Sequence, residues 1–99
     1  MSLQFIGDAG VYLPGRDAVK ISAIAGDSLV DCFISRSALD ALECRESDTA
    51  LEVERKFEAR RIDCELAALV KFRRATAKVL SVEIDAADIA LAIERPHAA

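Results

Sequence analysis

The sequence predicts a single α+β domain, residues 1–99, in which a small antiparallel sheet of three to five strands packs on one long helix. Three observations predict it. Residues 19–35 alternate between apolar and polar side chains on both sides of a glycine-containing turn, which is typical of a β-hairpin. Residues 49–74 contain neither Gly nor Pro and are rich in strong helix formers. The 99 residues, 53% of them hydrophobic, suffice for one core and exclude a disordered chain.

The N-terminal third carries strand patterns. Residues 3–6 and 11–13 are short apolar segments separated by a Gly-Asp-Ala-Gly turn sequence at residues 7–10. We expect short strands or an edge segment there. The hairpin at residues 19–35 follows, with Gly26 in the turn between its two strands.

Ser35 is placed to cap a short helix over residues 36–44, because its hydroxyl can accept a hydrogen bond from a free amide of the first turn. Near the C-terminus, residues 76–85 alternate again as a strand does. Asp85 then caps a last short helix over residues 86–94, and Pro96 ends it.

The predicted helix 49–74 opens on a capping box formed by Thr49 and Glu52. At about 1.5 Å per residue it would be roughly 39 Å long. Its C-terminal half is apolar on nearly all sides, so it needs cover from the C-terminal helix or from a second subunit. One apolar line would face the sheet, and the second consists of Leu51, Ile62, Leu66 and Leu69.

Arg61 lies within the first apolar line of this helix, where a charged group needs a partner. Pairing with Glu58 or Glu65 of the same helix is the favoured interpretation, with the aliphatic stem lying over the core. The alternative is a contact with a carboxylate of a second subunit.

A set of residues along this order of elements matches the pattern of a known family. They are Val19, Ile21, Ala23, Gly26, the run Cys32-Phe33-Ile34-Ser35, Leu39, Phe57, Arg60, Arg61, Ile62, Val82, Ile84, Asp85 and Asp88. On these residues the chain resembles the small bacterial family known as domain of unknown function 1488. The resemblance covers nearly the whole chain. It implies a small α+β fold with no established activity and no assigned catalytic residues, and a regulatory role has been suggested for such proteins.

Composition excludes several classes of protein. With a net charge of −4, bulk attraction to nucleic acid or to an anionic membrane is not expected. No apolar run approaches the roughly 20 residues of a membrane span, and no signal peptide is visible, so we expect a cytoplasmic protein. Three cysteines without a CxxC pair, together with one histidine, form no zinc-ligand pattern, so neither a metal nor a cofactor is expected.

No set of residues indicates catalysis. The single histidine, His97, lies in the C-terminal tail, so a Cys-His pair is not expected. Cys32 and Cys64 lie on apolar faces and are predicted to be core residues. Cys44 lies near a helix end, and a redox-sensing role for it is the less favoured interpretation. Asp31 lies among apolar neighbours, and an edge or solvent-facing carboxylate is favoured over one with a raised pKa.

We therefore expect a non-enzymatic interaction or regulatory module, most simply a homodimer, with an unidentified protein partner as a further option. Excess apolar surface on the long helix motivates this, and the candidate interface is Arg61, Ile62, Leu66 and Leu69. One alternative is a transcription-associated DNA-binding protein that uses a basic surface of Arg55, Lys56, Arg60, Arg73 and Arg74, although interleaved acidic residues disfavour it. A second is a small ligand-binding protein or enzyme with Asp31 and Arg61 near a pocket.

Overall fold

The computed structural model describes residues 3–75 and 79–94. Within them a four-stranded sheet has the order β1 (Gln4–Leu13), β2 (Ala18–Ala25), β3 (Ser28–Ser35) and β4 (Ser81–Ile84). The α+β class and the hairpin are therefore confirmed. An antiparallel-only sheet was wrong, because β4 runs parallel to β3 while the other neighbours are antiparallel. The helical connection between β3 and β4 returns the chain to its starting end, which is how parallel neighbours are joined.

The β2–β3 hairpin closes through two residues, because Ala25 pairs with Ser28. Gly26 occupies the first turn position with a φ of +66°. That combination is a type II′ turn, whose twist matches the twist of the two strands.

Strand β1 is one edge strand interrupted by a bulge, rather than two short strands. Its pairing with β2 shifts between Ile6 and Val11, and Gly7 in between has a φ of +88°. Gly10 touches the core so closely that a Cβ there would lie 2.5 Å from Cγ1 of Val19 and 2.8 Å from Cδ2 of Phe57. The bulge therefore brings the β1 backbone against the helix layer, where only glycine fits.

Helix α1 (Arg36–Glu43) begins as predicted, since Ala38 N donates to Ser35 Oγ at 3.1 Å. One half of the predicted capping box is present, since Glu52 N donates to the Thr49 hydroxyl at 3.1 Å. The Glu52 carboxylate accepts from Asp48 N at 3.4 Å, one residue before the position that a capping box requires. The single helix 49–74 is wrong. The segment forms α2 (Ala50–Ala59) and α3 (Arg61–Arg74), separated at Arg60.

The break at Arg60 separates two helices that pack on different strands. The residue has φ −117° and ψ 20°, which lies outside helical geometry, although its amide still donates to the end of α2. Helix α2 packs chiefly on β1, whereas α3 packs on β4. Two shorter helices can each follow the sheet, so Phe57 of α2 and Cys64 of α3 are both fully buried.

Helix α4 (Ala86–Glu94) packs chiefly against α3, so the C-terminal helix supplies much of the cover that α3 was predicted to need. It is capped reciprocally, since Asp88 N donates to Asp85 Oδ1 at 2.9 Å and Asp85 N donates to Asp88 Oδ2 at 3.0 Å. The predicted strand 76–85 begins only at Ser81. Residues 76–78, Pro96 and His97 lie outside the described residues.

The core that joins the helices to the sheet draws its strand residues from one face of the sheet. Those residues include Val19, Ile21, Val30, Cys32, Ile34, Val82 and Ile84. The other face of the strands contributes nothing to this core cluster. The described chain is therefore a two-layer structure, with helices on one side of the sheet only.

Candidate interaction surfaces

The uncovered side of the sheet, here called the open face, carries one side chain from every second position of each strand. Cross-strand pairing places Ile6, Ser22, Asp31 and Ser81 in one row and Val11, Lys20, Phe33 and Glu83 in the next. Ile24 and Leu29 form a third row at the hairpin end. Exposed apolar side chains therefore border a polar centre. Val11 is 54% exposed and Leu29 is 56% exposed.

One aromatic side chain on the open face is covered locally. Phe33 is only 6% exposed, and the guanidinium of Arg16 lies 3.7 Å from the centre of its ring. Arg16 Nη2 also lies 3.2 Å from Glu83 Oε1. The turn before β2 thus places the Arg16 guanidinium over the sheet, between the Phe33 ring and the Glu83 carboxylate.

Asp31 occupies the middle of the open face. Its Oδ1 atom is shielded from solvent and accepts no hydrogen bond from the described residues, while Lys20 Nζ lies 3.8 Å away. That distance allows an ion pair and is too long for a hydrogen bond. This oxygen is therefore left with a long ion pair to Lys20 and no hydrogen-bond donor among the described residues.

The predicted helix interface is only partly exposed. Ile62 is 81% exposed, whereas Leu66 and Leu69 are half-buried against the chain's own core. Ile62, Leu66 and Leu69 are called the α3 stripe below.

Arg61 pairs within its own chain: its Nε donates to Glu65 at 2.9 Å and its Nη1 donates to Glu58 at 3.2 Å. The Glu65 hydrogen bond is the main reason that the pKa of Arg61 is raised. The favoured interpretation of Arg61 is the one found here.

The five predicted basic residues do not all lie on the surface. Arg55, Arg73 and Arg74 are exposed, but the break at Arg60 places Arg55 on a different helix from the other two. Arg60 Nη2 lies 3.5 Å from Glu43. Lys56 is only 5% exposed, so the prediction that it lies on a basic surface was wrong.

Lys56 instead belongs to a buried polar cluster between α1 and α2, which the sequence did not predict. Its Nζ donates to Asp40 Oδ1 at 2.9 Å and to the Arg45 carbonyl, while Ser47 Oγ donates to the same Asp40 oxygen at 2.6 Å. Burial acts to raise the pKa of Asp40, but the hydrogen bonds from Ser47 and Lys56 outweigh it and lower the pKa. In sequence, the one signal was the position of Lys56 beside Val53 and Phe57 on the buried side of α2.

A cleft of about 560 Å³ lies where α3, β4 and α4 meet. At its wall, Lys71 Nζ donates to the Glu83 carbonyl at 2.6 Å and to Asp88 Oδ2 at 3.0 Å. Burial acts to raise the pKa of Asp88, but the Asp85 amide and Lys71 lower it. Asp88 is therefore held in its charged form, which suits an ion pair that joins two helices.

Asp31 and Arg61, the residues proposed to flank a ligand pocket, are not brought together. Asp31 lies on the open face, and Arg61 lies in the helix layer on the other side of the sheet. Arg61 is already paired along its helix. These two residues therefore do not form one site.

The two cysteines predicted to lie in the core do so. Burial raises the pKa of Cys32 to about 11 and that of Cys64 to about 12. Cys44 is exposed and ends α1 in the left-handed conformation, with a φ of 54°.

Residues 3–75 and 79–94 contain no group of three His, Cys, Asp or Glu side chains able to hold a metal ion. Their helices are all too short or too polar to cross a membrane.

Comparison with known proteins finds a similar solved structure and a matching family model. A crystal structure of a protein of unknown function from the DUF1488 family of Shewanella loihica PV-4, determined at 1.60 Å, is similar with a TM-score of 0.75. The match covers 85% of this chain and 92% of that one, at 19% sequence identity, so it shows a shared fold alone. A search of curated proteins finds no match. The family model for the protein of unknown function DUF1488 matches residues 3–80, most of the chain, and the chain therefore belongs to that family.

Proposed function

We propose that this chain is a non-enzymatic interaction module that works as a homodimer. The observation that carries the proposal is the amount of apolar surface left uncovered in the described part of the chain. Large exposed hydrophobic side chains there are Ile6, Val11, Leu29, Leu51, Ile62, Leu80, Leu91 and Ile93.

Uncovered apolar surface favours association because its burial removes it from water. Fully burying one large aliphatic side chain is worth about 1.5–3 kcal/mol. Single exposed hydrophobic residues are ordinary, whereas a group on one surface is typical of an interaction site. Ile6, Val11 and Leu29 form such a group, because they lie on the same face of one sheet.

The titratable groups also favour a binding role over catalysis. Lys71 and Asp88 are paired with each other, and Arg61 is paired with Glu58 and Glu65. Their partners lower the pKa of Asp88 and raise that of Arg61, which makes both poor general acids and bases near neutral pH. Ion pairs of this kind stabilise the fold and do not indicate a catalytic site.

Multi-angle light scattering on the purified chain at micromolar concentration tests the proposal. A homodimer requires twice the chain mass of 10.7 kDa. A mass of one chain throughout a dilution series would overturn it.

A further inference from the structure

We infer that the surface joining the two copies is the open face, packed sheet against sheet about a two-fold axis that passes between Lys20 and Asp31. In that arrangement Lys20 of each copy lies over Asp31 of the other. The inference rests on the proposed homodimer and specifies the surface and the contacts that form it.

The open face offers more area for an interface than the α3 stripe does. Three strands of about 26 Å and the four-residue β4 of about 13 Å, spaced about 4.8 Å apart, give a flat footprint of roughly 450 Å². Two such footprints amount to about 900 Å², close to the roughly 1,000 Å² of a specific interface, and the relief of the side chains adds to this flat figure. The α3 stripe offers much less, because Leu66 and Leu69 are already half-covered by their own chain.

Charge also favours the open face. The whole chain carries −4, so two copies have the same sign of net charge and repel each other overall. The described charged side chains of the open face are balanced, with Arg16 and Lys20 opposite Asp31 and Glu83. A second copy of the same chain can therefore approach this face without net repulsion.

A two-fold contact also requires the patch to be complementary to itself. If one residue of the first copy contacts a second residue of the other copy, the same contact is made with the two copies exchanged. Lys20 and Asp31 have opposite charges on adjacent strands, with their charged atoms 3.8 Å apart. Rotation about an axis between them exchanges the two positions. The same two residues therefore make two identical contacts across the interface.

The Asp31 carboxylate is partly open to an approaching group. Its Oδ1 atom is shielded from solvent, so an opposing group does not reach that oxygen, but the side chain as a whole is 35% exposed. An ammonium group of the opposing copy can therefore pair with the exposed part of the carboxylate. The apolar side chains Ile6, Val11 and Leu29 border this polar centre and would exclude water around it.

The test uses two variants of the full chain, Lys20→Glu and Asp31→Lys. Alone, each places two like charges at the axis, so each should dissociate at least about tenfold more readily than the natural chain. Mixed, the two variants should form a heterodimer. The introduced glutamate of one copy then faces the introduced lysine of the other, and the unchanged Asp31 of the first copy faces the unchanged Lys20 of the second. That recovery cannot arise from the contact within one chain, which both variants lack. Far-UV circular dichroism checks that each variant folds.

A matched pair of apolar variants distinguishes the surfaces. Leu29→Asp on the open face should dissociate the dimer, and Ile62→Asp on the α3 stripe should leave the mass unchanged. A dimeric natural chain whose mass is unaffected by Leu29→Asp and by both charge variants would overturn the open-face inference while leaving the homodimer intact. A monomeric natural chain would overturn the homodimer itself.

Discussion

Lys56 Nζ in α2 lies 2.9 Å from Asp40 Oδ1 in α1, in a seam where the lysine side chain is 5% exposed and the aspartate side chain 14%. The same ammonium caps the Arg45 carbonyl in the connecting loop. One side chain therefore ties α1, the loop and α2 together. The helix layer depends on a polar contact as well as on hydrophobic packing.

Replacing Lys56 with Met should destabilise the fold by about 3 kcal/mol, because Asp40 would keep its charge in a buried site without a cation. Urea unfolding gives this free energy. Arg55→Met is the matched control, since Arg55 is the exposed neighbour and its loss should change stability by less than about 0.5 kcal/mol. Equal stability of the two variants would show that the buried pair contributes nothing.

Gly10→Ala should cost about 1–3 kcal/mol, because the new methyl group would lie 2.5 Å from Val19 Cγ1 and force the β1 bulge away from the helices. Gly15→Ala is the control, since a Cβ there meets nothing within 4 Å. Thermal or urea unfolding measures both. A Gly10→Ala chain as stable as the control would contradict this packing of the bulge.

The Asp88 ion pair should make stability depend on pH. The folded-state pKa of Asp88 is lowered, so the folded chain binds fewer protons than the unfolded chain near the ordinary aspartate pKa of about 3.9. The stabilisation is fully present above that pH and is lost as the pH falls through the lowered folded-state pKa. Asp88→Asn should therefore be less stable than the natural chain at neutral pH, with the difference shrinking in acid. A difference independent of pH would contradict the assignment.

Duplex DNA should not bind. The arginines that the sequence offered for a basic surface lie on two helices, one of them beside Glu43, and Lys56 is buried. Fluorescence anisotropy of a labelled duplex at low salt measures this directly. Saturable binding whose affinity falls steeply with added salt would show that a phosphate-binding surface exists after all.

Local signals explain what the sequence predicted well. The hairpin followed from alternation in β2 and β3 around Gly26, and the helix starts followed from Ser35 and Thr49. Each depends on residues a few positions apart. Such patterns are visible in a single chain.

Features that depend on tertiary contacts were missed. Nothing near Arg60 is a helix breaker, and the break there separates two helices that pack on different strands. Alternation in β4 carries no information about its direction relative to β3. Lys56 was predicted to be exposed because it lies off the main apolar line of the helix. Its partner Asp40 precedes it by 16 residues, across a loop whose course the sequence does not determine.

The open face was also missed, because an alternating strand pattern shows that one side is polar without showing whether a helix covers it. The sequence drew attention to Ile62, Leu66 and Leu69 instead. The structure leaves only Ile62 of these strongly exposed, while it exposes Val11 and Leu29 on the sheet. The open face is therefore a better candidate than the α3 stripe for the surface that joins two copies.

Sedimentation equilibrium of the natural chain beside Leu29→Asp tests whether the open face joins two copies. We expect the natural chain to sediment at micromolar concentration as two chains of 10.7 kDa each, and Leu29→Asp to sediment as one. A natural chain that sediments as a single 10.7 kDa species at every concentration would overturn both the homodimer and its interface.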